Sequence, residues 1–402
     1  VTPPASGCGF VNPAFCETFS TSTPNANPRA GDLPVYWGAS RTNFQVNTNE
    51  GWTASNAVGC ASDGATAPDL RICNGQLRES IADNGTVANL SVYPKQPFDF
   101  AGRTGVIAFD VSNDSQGTHG AWPELWVSDK PNPTPFVFEA QPGPAPQNGF
   151  GIRFDTCGNG TCGVEASVVR GTVVADTFDG SLPIVNDQTV IQSNGLGQMN
   201  HYEVRVSQGQ IDVYGSDAFT PGAAVPALKH IATVPNANLS LSRGLVWLED
   251  THYNANKFGT QGTHTFAWDN LGFDGPKTYR DLSFDVPDAT PNTNGPLGYR
   301  MPVTLSVSGV QAVQTPTGAA VALNWYTWDS ITVPTISING NAPITTPWPY
   351  TNTSGFTERS LVVPVPLSQV HLGGTNTITL TGPASQVVHN VNLVLVAGAP
   401  VP

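Results

Sequence analysis

The sequence predicts an all-β protein built as two tandem β-sandwiches, and three observations carry that prediction. The 402 residues include 41 glycines and 35 prolines spread along the whole chain, which leaves little uninterrupted length for helices, where both residues are costly. No segment sustains a 3.6-residue apolar period over three turns, whereas period-2 alternation recurs. Composition also shifts near Gly275-Pro276. All six cysteines lie before residue 163, and residues 278–402 hold three Arg, no Lys and five acids, so most of the net charge of -13 belongs to the first part. An apolar fraction of 39% supplies enough material for packed cores.

Individual strands follow from alternation. Gly105–Asp110 places Ile107, Phe109 and, one step on, Val111 on one face. Trp122-Pro-Glu-Leu-Trp126 puts Trp122, Glu124 and Trp126 on one face, and Leu245–Glu249 does the same for Trp247 and Glu249. In His201–Ser207, Tyr202, Val204 and Val206 read inward while His201, Glu203 and Arg205 read outward, the last two as a surface pair. A turn at Gln208-Gly209 leads into Gln210–Tyr214, which makes a hairpin. Thr265–Phe273 is a further strand. Beyond the boundary, strands are expected at Val303–Val310, Ala319–Tyr326, Thr335–Ile338, Ser360–Val365, Asn376–Leu380 and Val391–Val396, enough for one smaller sandwich. The expected domains are therefore 1–277 and 278–402.

Charge and cysteines bound the partners. An acidic chain repels phosphate backbones, which excludes nucleic acid and anionic membrane as favoured partners. No apolar stretch is long enough to span a bilayer. The cysteines fall in neighbouring pairs, Cys8 with Cys16, Cys60 with Cys73, and Cys157 with Cys162, and proximity alone suggests disulfides among fifteen possible connectivities. Paired cysteines, few lysines and a start at Val1 lead us to expect a secreted, mature or trimmed chain, acting as a monomer.

Short motifs in the first domain resemble the concanavalin A-like lectin/glucanase jelly rolls. Cys16-Glu-Thr-Phe-Ser followed by Leu33-Pro-Val-Tyr-Trp37 resembles their opening, and His264-Thr-Phe-Ala-Trp-Asp-Asn-Leu-Gly-Phe-Asp274 resembles their closing strand. The resemblance implies that first and last strands lie side by side. Trp122-Pro-Glu-Leu-Trp126 is similar to a strand of laminarinase-type glycoside hydrolases, but the Glu-x-Asp-x-x-Glu catalytic string of that family is absent. In the second domain, Ser360–Leu367, Leu372-Gly-Gly-Thr-Asn-Thr-Ile and Val391–Leu395 resemble galactose-binding-like and carbohydrate-binding jelly rolls.

These readings point to a carbohydrate-active protein whose partner is a polysaccharide or other glycan. Glu124 and Glu249 are the candidate catalytic carboxylates, since glycoside hydrolysis needs an acid and a nucleophile or base a few ångströms apart. Trp122, Trp126 and Trp247 are candidate sugar platforms, because sugars present apolar faces to aromatic rings. The alternatives are a non-catalytic glycan-binding or adhesion protein, which the missing string favours, and a polysaccharide lyase. For a lyase, Tyr253 or His201 would act as base, with Arg153, Lys257 and Gln261 neutralising a uronate. Asp269 and Asp274 are candidate ligands of a structural calcium ion, although Asp269 could equally hold a loop through backbone N–H groups. No cofactor is expected for the chemistry. Trp348-Pro-Tyr350 is a candidate exposed platform in the second domain.

Overall fold

The computed structural model describes residues 8–20, 33–34, 36–43, 70–83, 88–100, 102, 104–113, 121–129, 147–154, 163–171, 173–177, 180–187, 191, 197–207, 209–252, 262–286, 298–310, 316–327, 334–345, 357–384 and 386–399. Among them the regular structure is β throughout, apart from one 3-10 turn at Leu367–Gln369. The alternating segments form the expected strands, most of them longer by one to four residues than the strictly alternating core. Gly105–Asp110, for example, extends to Gly105–Asn113, and Ser360–Val365 begins at Thr357.

Two antiparallel sheets are built from residues 15–274. In the nine-stranded sheet the long strand Gly262–Asp274 lies between Gln76–Asp83 and Gly105–Asn113, followed outward by Asn200–Ser207, Gln210–Gly215 and Lys229–Val234. Phe15–Glu17 pairs with the same long strand, Phe15 opposite Phe273, so the start and end of this unit are neighbours. Cys8 and Cys16 form a disulfide beside that pairing. Cys73 is also disulfide-bonded, while Cys60, Cys157 and Cys162 lie outside the described residues.

The second sheet of this unit runs Val173–Asp176, Val164–Gly171, Gln147–Phe154, Ala121–Ser128, Arg243–His252, Ala88–Pro94, Trp37–Asn43, with Phe98–Asp99 adding to one end of Arg243–His252. One core fills the space between the sheets. Ile107, Phe109, Val111 and Val204 come from one side, and Leu90, Leu125, Phe150, Ile152 and Val246 from the other. Phe109 packs against Phe154, Tyr202 and Trp268 at ring separations of 5.3, 5.8 and 5.5 Å. Each such buried side chain contributes about 1.5–3 kcal/mol by leaving water.

Residues 282–397 form two further antiparallel sheets of five and four strands around a separate core that includes Leu305, Val321, Trp325, Ile336, Leu361 and Leu393. Among the described residues no strand pairing joins this unit to the first. The outer face of its five-stranded sheet, which carries Ala320, Val362, Val394 and Val396, meets the first unit beside Tyr93 and Leu245.

Candidate functional site

Alternation in the eight-stranded sheet sends Leu125, Val127, Ile152, Leu248 and Val92 into the core. Their neighbours in sequence must then emerge on the opposite face. Register turns that face into rows. Glu165 stands opposite Arg153, Arg153 opposite Glu124, Glu124 opposite Glu249, and Glu249 opposite Ser91. The two carboxylates singled out from sequence are thus direct cross-strand partners, a relation that places Cβ atoms about 4.5–5.5 Å apart.

An aromatic row runs beside the acidic one. Trp126 stands opposite Trp247, and Trp126 also opposes Gly151 in the next strand. Trp247 packs against Tyr93 in a tilted pair with ring centroids 4.0 Å apart. Glycines make room for these rings. A Cβ at Gly151 would sit 2.5 Å from Trp126 Cε2, and one at Gly38 would sit 2.4 Å from Tyr93 Cζ. Only a residue without a side chain lets a large ring lie flat across the adjacent strand. Trp122, Trp126 and Trp247 are consequently buried, at 4%, 2% and 0% exposure, and do not stand open to solvent. The Trp247 indole N–H is buried without a protein acceptor among the described residues.

Glu124 is gripped by the two indoles that flank it in sequence. Trp122 Nε1 donates to Oε1, and Trp126 Nε1 donates to Oε2 at 2.8 Å. Burial is nearly complete, with 2% exposure. Desolvation therefore dominates and pushes the carboxyl up to about 7, against the lowering pull of both indole N–H groups and of Arg153. Arg153 lies 3.9 Å over the Trp122 ring and donates to Glu165 Oε2 at 3.1 Å. Glu249, also buried, accepts from Ser91 Oγ at 2.9 Å. Tyr93, Ser91 and Glu165 complete this face and were not among the sequence candidates. The strand alternation that marks Trp247 and Glu249 marks Ser91 and Tyr93 equally well.

The other candidates are distributed differently. His201 belongs to the nine-stranded sheet and Arg153 to the eight-stranded one, so the lyase set is not gathered by these two. Tyr253, Lys257 and Gln261 lie outside the described residues, as do Trp348 and Tyr350. His201, expected on an outward face, is buried at 8% exposure by a cross-strand bond from Nδ1 to Asp110 Oδ1 of 2.6 Å. Asn270, at a β-bulge with φ of 52°, donates to the other oxygen of Asp110 at 2.7 Å. Glu203 and Arg205 form the expected surface pair at 2.6 Å.

Asp269 accepts from the backbone N–H of Asn270 at 2.7 Å and Asp274 is exposed. Among the described residues no group of three or more His, Cys, Asp or Glu is arranged to hold a metal ion. The two aspartates therefore do not make a calcium cage by themselves. Burial, aided by the charges of Asp110 and Glu17, pushes Asp269 up to about 7.

No family model matches the sequence, and no curated protein matches it. Among solved structures the chain is similar to Rv0315, an immunostimulatory antigen and pseudo beta-1,3-glucanase of Mycobacterium tuberculosis. The identity there is 12%, covering 65% of this chain and 98% of that one, with a TM-score of 0.37. It is similar to the Emp47p carbohydrate recognition domain at 11% identity, over 65% of this chain and 94% of that one, with a TM-score of 0.36. For the VIP36 exoplasmic/lumenal domain in its Ca2+/Man3GlcNAc-bound form, the values are 11% identity, 60% and 86% coverage, and a TM-score of 0.33. Likeness at this level assigns neither a family nor an activity to the chain.

Proposed function

We propose that this is a secreted glycan-directed protein of two domains, 1–277 and 278–402, and that its first domain hydrolyses a glycosidic bond with Glu124 and Glu249. The observation that carries the proposal is the register of strands 121–128 and 243–252, which sets these two carboxylates opposite each other on one sheet face. Retaining glycosidases hold their two carboxyl groups about 5–5.5 Å apart, a spacing within reach of two glutamates that are direct cross-strand neighbours on one face. Their surroundings divide the roles. Glu124, raised to about 7 by burial, is about half protonated at neutral pH and is the general acid. Glu249, with a hydroxyl of Ser91 donating to Oε1, is the nucleophile. Arg153 faces Glu124 across the strands and acts as a positioning residue through its ring contact with Trp122.

A second reading, non-catalytic glycan binding, is favoured by one specific observation. Both oxygens of Glu124 are occupied by indole N–H groups and the pair is closed off from solvent. For the pair to meet a substrate, this buried face must first open. The test is a panel of polysaccharides assayed for new reducing ends and for the absorbance of unsaturated products. Glu124→Gln and Glu249→Gln are run beside the unaltered protein, with affinity electrophoresis on the same glycans. Hydrolysis that both substitutions abolish supports the proposal. Retarded migration without product in the unaltered protein selects the binding reading, and unsaturated product selects lyase chemistry.

A further inference from the structure

A cavity of about 280 Å³ lies at the seam between the two units, away from the carboxylate row. Strand ends of the first unit supply Tyr93, Lys95, Arg243 and Leu245, and the outer face of the five-stranded sheet supplies Val394 and Val396. Tyr93 and Leu245 are buried, while Ser240 and Ser242 are exposed and mark the mouth. The walls are tied together across the seam. Lys95 Nζ pairs with Asp285 Oδ2 at 3.2 Å, and Arg243 Nη2 pairs with Asp281 Oδ1 at 3.0 Å while also donating to the Ala397 carbonyl at 3.1 Å. Arg243 further stacks on Tyr279 at 3.5 Å. These clasps hold the cavity open as a built feature of both units.

We propose that this seam cavity is a binding site for one neutral sugar residue, separate from the carboxylate pair. Its volume lies just below the range of roughly 300–1,000 Å³ usual for small-molecule sites, which limits the occupant to a single small ring. The charged lining cancels, with Lys95 and Arg243 against Asp129 and Asp281, so an ionic ligand gains nothing on entry. The remaining lining is of two kinds. Valines, Leu245 and Tyr93 offer an apolar wall, and the hydroxyls of Ser240, Ser242 and Ser283 stand beside it. Ser240 donates to Asn148 Oδ1 at 2.9 Å and Ser283 to Asn392 Oδ1 at 3.2 Å, which leaves their oxygen lone pairs to accept from ligand hydroxyls. A neutral ring with one C–H face and several hydroxyls matches both kinds, whereas an acyl chain matches only the apolar wall. Glu124 and Glu249 are not among the residues that line the cavity. The site therefore stands whether or not the carboxylates are catalytic.

The test uses the full chain titrated with glucose, galactose, mannose and xylose by saturation-transfer NMR and calorimetry. Ala320→Trp fills the cavity from its wall, and Ser242→Trp blocks it from the exposed mouth should the first variant not fold. Glu124→Gln serves as the reference that leaves the seam intact, and palmitate is the apolar probe. The expected result is binding of at least one neutral sugar that is insensitive to salt, weakened about tenfold or more by the blocking variant, and unchanged in Glu124→Gln. The proposal is overturned if none of the sugars binds, if the blocking variant binds as tightly as the unaltered protein, if only Glu124→Gln loses binding, or if palmitate occupies the seam and the sugars do not.

Discussion

Replacing Glu124 with Gln tests the energetics of the acidic row directly. Burial raises this carboxyl from 4.5 to about 7. The folded chain therefore holds a proton that the unfolded chain releases, and stability falls as pH rises between those two values. Converted at about 1.4 kcal/mol per unit, the full loss is roughly 3 kcal/mol, present above pH 7 and absent below about pH 4.5. The amide introduced by Glu124→Gln does not ionise, so the variant escapes that loss. It has its own cost, because Trp122 and Trp126 each donate to one carboxylate oxygen and the amide can accept only one of them. A donor facing a donor in a buried site costs about 1–3 kcal/mol. At pH 5 the variant should therefore be the less stable protein by that amount. The gap should close or reverse by pH 8. Urea unfolding at pH 5, 6, 7 and 8 followed by tryptophan fluorescence reads both curves, and the titration of Asp269, common to both, cancels in their difference. A stability difference that is the same at pH 5 and pH 8 would refute the assignment of a buried proton to Glu124.

Further substitutions probe the supports of the site and of the fold. Gly151→Ala brings a methyl into the Trp126 ring; it should cost about 1–3 kcal/mol and alter the near-ultraviolet circular dichroism of the indoles. Ser91→Ala removes the hydroxyl that donates to Glu249; a destabilisation of about 1–3 kcal/mol is expected in urea, and hydrolytic rate should fall with it if Glu249 is the nucleophile. Asp110→Ala strips the acceptor from both His201 and Asn270 and should cost about 1–3 kcal/mol for each donor left unpaired, read by differential scanning calorimetry. Glu203→Gln breaks an ion pair whose Arg205 side chain is open to solvent, so its unfolding free energy in urea should match that of the unaltered chain within about 1 kcal/mol.

Much of the fold was legible because alternation is a local property. The segments around Ile107, Val204 and Val321 announce their inward faces within a few residues, and all three belong to packed cores. The shared face of Trp122, Glu124 and Trp126 was legible for the same reason. Register was not, since strands 121–128 and 243–252 are far apart in sequence, and nothing local says that Glu249 stops opposite Glu124 and not opposite Trp126. Burial of the indoles was missed because its cause sits in other strands, at Gly151 and Gly38. An isolated glycine inside a strand was the available signal, and it points to a close approach of some neighbour without saying which. His201 does lie on the outward face, and its burial there was not legible because it comes from Asp110 of the next strand.

The position of strand Gly262–Asp274 inside the nine-stranded sheet has a consequence for biosynthesis. Its partners Gln76–Asp83 and Gly105–Asn113 leave the ribosome long before it does, yet neither can reach the other without it. At about 5–20 residues per second the nascent chain spends roughly 8–30 s with both edges unfilled. During that interval Ile107, Phe109 and Leu77 have no finished layer to bury them. The disulfide loop at Cys8–Cys16 docks on the same strand, because among the described residues Phe15–Glu17 pairs with its far end. The first unit therefore closes in one late event, just as the smaller sandwich begins to emerge, and a chain ending before residue 262 should accumulate as aggregate rather than as a shorter folded domain.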